Sequence, residues 1–425
     1  MSDRNKNRLG YKKTKVGWIP EEWDVVKFGG YINHVKGFAF KSSDYQASGR
    51  RIIRVTDTTY DSIKDKNPIY IEKEKARMYK KYELKIDDLI FTTVGSKPPM
   101  YDSMVGKVIK IPKMYENTLL NQNAVLIRTK NHNLLNQKYL YSVFKIKRYT
   151  YFIETIFRGN ANQASITLED LFLFPIPLPP LPEQKKIAEI LSTWDETIEQ
   201  MRKLIDAKKR RKKALMQQLL TGKKRFKNNG GNDWCIRPLG ELIEPVSRPV
   251  PKPKEPYLSI GLRSHGRGTF QKIVELPEKV MMDTLYRIES QDIIANITFA
   301  WEGAIAIAKE KDSGGLVSHR FPTYSIKDKK AHIDFFRNLI LTKKFVWDLG
   351  LISHGGAGRN RVMNKRNFLK LKILLPPVKI QKELGKILTT ADNEIKILED
   401  YRNALERQKR GLMQKLLTGE IRVDI

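Results

Sequence analysis

The sequence holds one cysteine, Cys235, in 425 residues. No disulfide can form within the chain, and one thiol cannot build a zinc site. A reducing cytoplasm is the compartment this usage suits. No apolar run approaches the ~18 residues that mark a membrane-spanning helix. The N-terminus, Met-Ser-Asp-Arg-Asn-Lys, starts basic but has no apolar stretch behind it, so no signal peptide is expected.

Catalytic signatures are also missing. A phosphate-binding P-loop needs Gly-x4-Gly-Lys-Ser/Thr. The nearest string, Gly261-Leu-Arg-Ser-His-Gly266-Arg267-Gly268, lacks both the lysine and the hydroxyl. Gly266-x-Gly268 and Gly356-x-Gly358 stop at two glycines, short of a dinucleotide or methyl-donor fingerprint. Asn67-Pro68-Ile69-Tyr70 differs at its third residue from the Asn-Pro-Pro-Tyr loop of amino-methyltransferases and reads as a β-turn. The six histidines stand apart, with no metal-ligand spacing among them. No paired acids have a nuclease-like arrangement. These absences together argue against catalysis and against a cofactor or metal in this chain.

Acidic residues are scarce as well. Lys and Arg number 79 against 47 Asp and Glu, a formal charge of +32. A charge that large repels itself without a polyanionic partner or counter-ions and points to nucleic acid first and an anionic membrane second. At 40% hydrophobic and 30% charged, the chain is globular, and its length allows two to four domains.

What is present is a repeat. Pro182 to Gly222 contains no internal Pro or Gly, and Ile187, Leu191, Trp194, Ile198, Met201, Ile205, Lys208, Lys212, Leu215 and Leu219 alternate at steps of four and three. This is a coiled-coil seam interrupted by two lysines. Pro182 and Glu183 suit a first helical turn and Gly222 the residue beyond the last. About 40 residues at ~1.5 Å each make a rod of roughly 60 Å that needs a cover.

Adding 197 to the numbering supplies the cover. Leu215-Met216-Gln217 becomes Leu412-Met413-Gln414, Thr221-Gly222 becomes Thr418-Gly419, and Gln184 becomes Gln381. The second seam runs Leu384, Leu388, Ala391, Ile395, Leu398, Arg402, Leu405, Lys409, Leu412, Leu416. The chain is an internal duplication. Trp23-x4-Phe28-Gly29 has a weaker echo in Trp234-x4-Leu239-Gly240, so the halves also begin alike.

The order is globular, helix, globular, helix, with boundaries at 1–178, 179–226, 227–375 and 376–425. Residues 1–17 are polar, basic and expected to be loosely held. β-type runs fall at Ile52–Val55, Pro68–Ile71, Leu89–Val94, Val105–Ile111 and Ala124–Arg128, then at Tyr257–Ile260, Ile293–Ile297, Ala304–Ala308 and Thr323–Ile326. Helical periodicity covers Tyr139–Ile156 and Phe335–Leu349. The fold class is α+β: two mixed α/β globular regions joined by two long antiparallel coiled-coil helices, an internal repeat of pseudo-two-fold character.

Basic side chains gather in two kinds of place. Lys208-Lys-Arg-Arg-Lys-Lys213 lies inside the first helix, where it is placed to run beside a phosphate backbone or to form a solvated helix face. Before each Pro-Pro stands a loop of glycine with short polar and basic residues, Arg158–Gln163 and Gly355–Arg361, whose backbone can approach a phosphate closely or simply connect two strands.

Leu178-Pro179-Pro180-Leu181-Pro182-Glu183-Gln184-x-x-Ile187-Ala188, leading into a helix that ends Leu-Leu-Thr-Gly, resembles the conserved spacer of type I restriction–modification specificity (S) subunits. Gly37-Phe38-Ala39-Phe40-Lys41-Ser42-Ser43-Asp44-Tyr45 resembles the opening of their target-recognition domains, and Trp301-Glu302-Gly303-Ala304 with Val317-Ser318-His319-Arg320-Phe321 another recognition-domain type. The second spacer departs from the pattern: Val378-Lys379-Ile380-Gln381 keeps only the glutamine.

The resemblance implies a chain without catalysis of its own. Each globular region would read one half of a split sequence in double-stranded DNA, and the helices would set the gap. Two modification (methyltransferase) subunits using S-adenosylmethionine and restriction/translocase subunits using ATP and Mg would be its partners, in the cytoplasm and without a membrane.

Arg to guanine and Asn or Gln to adenine are the favoured base pairings. Candidate DNA contacts in the first region are Lys41, Ser42, Thr92, Thr93, Ser96, Lys97, Arg158, Asn160, Asn162 and Gln163. In the second they are Arg263, His265, Arg267, Trp301, His319, Arg320, Arg359 and Arg361. Each has an ordinary surface-loop residue as its competing reading, and Trp301 a place in the core. Two other classes of function stay open on the residues alone: an enzyme with unrecognised motifs, and a structural coiled-coil adaptor, or another DNA-binding protein, with no restriction–modification role.

Overall fold

The computed structural model describes residues 5–98, 100–160, 163–225, 234–355 and 361–425. Two helices dominate it, Leu181–Leu219 and Val378–Leu417. The chain divides into two compact units, Met1–Met201 with Tyr401–Ile425, and Arg202–Asp400. Each long helix therefore contributes one segment to each unit.

Seam residues behave as the period requires. Ile187, Leu191, Ile198, Ile205, Leu219, Leu384, Leu388, Ile395, Leu405 and Leu416 are buried, and Trp194, Met201, Leu215, Leu398 and Leu412 half-buried. In the first unit Asp195 meets Lys409. In the second, Lys208 meets Glu394, Lys209 meets Glu399 at 2.6 Å and Lys212 meets Asp392 at 2.6 Å. High numbers on one helix face low numbers on the other in both units, which defines antiparallel pairing.

The globular parts share a frame. In the first unit a four-stranded antiparallel sheet runs Ile32–Lys36, Ala124–Thr129, Leu89–Thr92, Val108–Lys110. In the second it runs Ile243–Val246, Thr323–Ile326, Ile293–Ala295, Ile305–Ile307. Both have the spatial order first, fourth, second, third in chain sequence. Asp24–Lys27 pairs with Pro175–Leu178 just before one long helix, and Cys235–Pro238 with Lys372–Leu375 just before the other. A short hairpin, Arg158–Asn160 with Gln163–Ser165 or Ser353–Gly355 with Arg361–Met363, stands at the same place in each.

The added strands differ. The first unit carries a three-stranded sheet, with Leu119–Leu120 parallel to Arg50–Ile53, which pairs with Ile69–Ile71. The second has a five-stranded sheet whose outermost hairpin is Tyr257–Leu262 with Thr269–Val274. The units share a scaffold and differ in what it displays.

Each main core joins the start of one long helix to the end of the other. Ile187, Ala188 and Leu191 pack with Met413, Leu416 and Leu417 against Trp23, Phe28, Tyr139 and Phe174. Ile380, Leu384 and Leu388 pack with Leu219 and Leu220 against Leu239, Phe335 and Phe368. Gly222 and Gly419 close the helices at φ +69° and +68°, a left-handed conformation that favours glycine.

Three sequence expectations change. Tyr139–Ile156 is not one helix but two, Gln137–Val143 and Lys147–Ile156. Phe335–Leu349 likewise divides into Ile333–Leu339 and Lys343–Leu351, because the Thr342 hydroxyl accepts from Phe345 N–H and starts a new helix. Residues 5–17 are not loosely held. Tyr11–Thr14 and Gly17–Pro20 form a hairpin, Asn5 is buried and donates to the Thr418 carbonyl at 3.3 Å, Arg8 donates to the Glu420 carbonyl at 3.0 Å, and the Tyr11 hydroxyl donates to the Gly419 carbonyl. Backbone carbonyls freed by the end of a helix are satisfied here by side chains far away in sequence.

Candidate nucleic-acid interface

The second unit draws several of its candidates into one concave site of about 620 Å³. His265, Trp301 and Arg361 line it, joined by Glu302, Lys343 and Trp347. The loop Arg263–Gly268 turns the outer hairpin, with His265 at φ +61° and Gly266 at +66°. Glu302 holds that loop: its carboxylate accepts from the Ser264 hydroxyl at 2.8 Å and its carbonyl from His265 N–H at 2.7 Å. Gly266 N–H donates to the Gly303 carbonyl at 3.0 Å. Glu302 therefore supports the loop from beneath.

Trp301 is half-buried rather than core, and its indole N–H donates to the Thr298 carbonyl at 3.1 Å. The guanidinium carbon of Arg361 lies over the indole, 5.3 Å from the ring centroid. Arg263 is exposed but partly used, with a contact to Phe270 and a hydrogen bond of 3.2 Å to the Thr269 carbonyl. Arg267, His319 and Arg320 are exposed and lie outside this concavity's lining. Arg359, like Asn162, lies outside the described residues. Lys343 and Trp347 lie on the helix Lys343–Leu351, which the periodicity over 335–349 does not separate from its neighbour.

In the first unit the candidates divide. Lys41, Ser42, Lys97, Arg158, Asn160 and Gln163 are exposed, the last three on one hairpin. Arg158 is tied to Asp170 at 2.9 Å. Thr93 is half-buried and its backbone is zipped to Asn123 and Ile166. Thr92 and Ser96 are buried. The Thr92 hydroxyl donates to the Met104 carbonyl at 3.0 Å, and Ser96 Oγ accepts from Ser103 Oγ at 2.9 Å. Both faces of the strand Leu89–Thr92 are covered, so Thr92 is buried where it cannot meet a base.

Two lysines that look like surface charge in the sequence are spent internally. Lys107 donates to the Thr58 carbonyl at 2.8 Å and to the Asp102 carbonyl at 2.5 Å. Burial pushes its pKa down to about 8. Lys145 donates to the Tyr60 and Val108 carbonyls at 2.7 and 2.8 Å and pairs with Asp61 at 3.1 Å, with burial again lowering its pKa. Both pin the segment around residues 58–61.

The seam lysines also have a local explanation. Lys208 and Lys212 face acids on the other long helix, as does Lys409. They neutralise the pairing surface and are not free for phosphate. Arg210, Arg211 and Lys213 remain exposed.

Gln184 and Gln381, the residue common to both spacer starts, are fully buried. Gln184 accepts from Asn136 N–H at 2.9 Å and donates to the Leu134 and Pro179 carbonyls at 3.0 and 2.8 Å. Gln381 accepts from His332 N–H at 2.9 Å and donates to the Lys330 and Pro376 carbonyls at 3.3 and 2.9 Å. Each amide locks its helix start to the globular part by the same three bonds.

The neighbouring position differs. Glu183 is buried and accepts from Arg422 Nε at 2.7 Å, Arg422 Nη2 at 2.9 Å and Trp23 Nε1 at 2.9 Å. Those hydrogen bonds raise the Arg422 pKa above its usual value. Ile380 stands at the matching position of the second unit. There Arg225 sits over Trp234, 6.0 Å from the ring centroid, as Arg422 sits over Trp23 at 5.8 Å.

Among the described residues, no group of three or more His, Cys, Asp or Glu side chains could hold a metal ion, and no helix is long and apolar enough to cross a membrane. A duplicated scaffold that displays basic, aromatic loops is of the class that meets a polyanion. The comparisons with known proteins specify it. The family model of the type I restriction modification DNA specificity domain matches twice, at residues 20–209 and 231–407. The chain belongs to that family and is a type I restriction–modification specificity subunit.

A putative type I restriction enzyme MjaX specificity subunit from Methanocaldococcus jannaschii is 29% identical over 434 residues, covering 97% of each chain. The MjaVIII specificity subunit from the same organism is 26% identical, covering 95% of this chain and 94% of the relative. The crystal structure of the type I restriction-modification S subunit from M. genitalium has the same fold, with a TM-score of 0.57 at 14% identity over the whole of both chains.

Proposed function

We propose that this subunit reads a two-part DNA target, one half-site per unit, and that its paired long helices set the number of base pairs between the parts. The observation that carries the reading is the contrast within the repeat. The four-stranded sheet, the closing strand pair and the glutamine lock recur, while the added sheets and the loops on them do not. A duplicated scaffold with divergent loops suits two readers of different sequence.

In this reading the chain scaffolds and does not catalyse. Two modification subunits dock on its two similar halves, since repeated surfaces let one chain meet two copies of a partner. Restriction/translocase subunits complete the assembly. S-adenosylmethionine, ATP and Mg belong to those partners. Candidate contacts that stay exposed are Lys41, Ser42, Lys97, Arg158, Asn160 and Gln163 in the first unit, and Arg263, His265, Arg267, His319, Arg320 and Arg361 in the second. Thr92 is left out because it is buried.

Footprinting of the chain with its modification subunits on DNA tests this. Two protected segments with an accessible gap are expected, with affinity falling steeply as salt rises. One short continuous footprint, or salt-independent binding, would refute it.

A further inference from the structure

We propose that Arg361 reads a guanine in the half-site served by the second unit, and that Trp301 is the residue that positions it. The inference rests on the reading of the chain as a two-part DNA reader.

Arg361 is exposed and begins the strand Arg361–Met363. Among the described residues its guanidinium has no carboxylate or carbonyl partner. Arg158, on the matching hairpin of the first unit, is by contrast tied to Asp170. The Arg361 side chain lies over the face of Trp301, 5.3 Å from centroid to guanidinium carbon. A guanidinium over an aromatic face is held by its charge, while its N–H donors keep their hydrogen-bonding capacity. Such a fork matches the O6 and N7 acceptors that guanine presents in the major groove.

The platform is fixed. The Trp301 indole N–H is bound to the Thr298 carbonyl at 3.1 Å. Met363 N–H, two residues along the strand, donates to the Ile297 carbonyl at 2.8 Å. Both sides of the Arg–Trp contact are thus anchored to one segment, residues 297–298. Lys343 lines the same concavity and adds positive charge. The one acid there, Glu302, is engaged by the Ser264 hydroxyl.

The test is the methylated motif of a host that expresses the chain with its modification subunits, for the native chain and for Arg361→Lys and Arg361→Ala. Lysine keeps the charge and loses the fork, so it separates base reading from charge. Both variants should accept other bases at one guanine of one half-site. Discrimination there should fall roughly 5- to 150-fold, with the other half-site and the gap unchanged. Trp301→Phe keeps a smaller platform and should give an intermediate loss at that same position. A motif that stays intact while methylation falls evenly at all sites would make Arg361 a phosphate contact and overturn the proposal. So would a motif unaffected by either variant. A native complex that methylates no two-part motif would overturn the underlying reading as well, and that outcome is visible before any variant is made.

Discussion

Removing Arg422 should strand a buried charge. The Glu183 carboxylate is fully buried and depends on two hydrogen bonds from Arg422 and one from Trp23. Breaking a buried ion pair by deleting one partner costs about 3–5 kcal/mol. The Arg422 side chain is 38% exposed, so water reaches part of the site. The expected cost of Arg422→Ala is therefore nearer 2–3 kcal/mol, the range for losing hydrogen bonds to a charged group. Hydrogen exchange read by mass spectrometry measures it locally. Peptides covering residues 11–20 and 405–421 should lose protection by that amount, while peptides from Arg202–Asp400 serve as the control. Glu183→Gln removes the charge but keeps an acceptor for the Trp23 N–H. The double variant Glu183→Gln/Arg422→Ala should then recover at least about 1 kcal/mol relative to Arg422→Ala alone. A cost below about 0.5 kcal/mol for the single variant, or strict additivity in the double, would refute the argument.

Other perturbations follow from the same contacts. Gln381→Ala should cost about 2–3 kcal/mol, because it leaves the His332 N–H and two carbonyls without their partner, and the loss should appear in exchange of the second unit alone. Lys208→Ala with Lys212→Ala should leave the salt dependence of DNA binding unchanged, whereas each exposed lysine or arginine that meets a phosphate should lower the log–log slope by about 1 when removed. Thr92→Val should cost about 1 kcal/mol in denaturation and leave the methylated motif as it was. Lys107 supplies a pH signature. Its folded pKa of about 8 lies below the usual lysine value of 10.5, so between those values the unfolded chain binds more protons and the stability of the first unit rises with pH. Lys107→Met should remove that rise, measured from pH 8 to 10 as the difference between the two proteins, in which the tyrosine ionisation common to both cancels.

Much of the architecture was legible because long helices repeat their message. Ten seam positions at alternating steps of four and three leave one face to bury, and the 197-residue offset identifies its cover. What periodicity cannot supply is the partner across the fold. The seam lysines read as interruptions until Glu394, Asp392 and Asp195 appear opposite them. Gln184 and Gln381 stand out in the sequence only as the residue both spacer starts share; that their amides are buried on backbone groups is visible in the fold alone. Thr92 lies in a run legible as a strand, but only the fold shows that Leu89–Thr92 is buried on both faces. The N-terminal segment has too few apolar residues to announce a docked hairpin; it is held largely by side-chain bonds to carbonyls some 400 residues away. At the site, His265, Trp301 and Arg361 were each legible as residue types suited to DNA. Their meeting was not, since it depends on a sheet and a helix boundary set by Thr342.

The central claim is that the paired long helices set the gap between two half-sites, and shortening the helices tests it. Deleting one heptad from each long helix keeps the seams in register and removes about 10 Å of helical rise, the length of roughly three base-pair steps. Methylome sequencing of cells that express the shortened chain with its modification subunits should then return the same two half-sites across a changed gap. Half-site sequences that change while the gap stays the same would contradict the account.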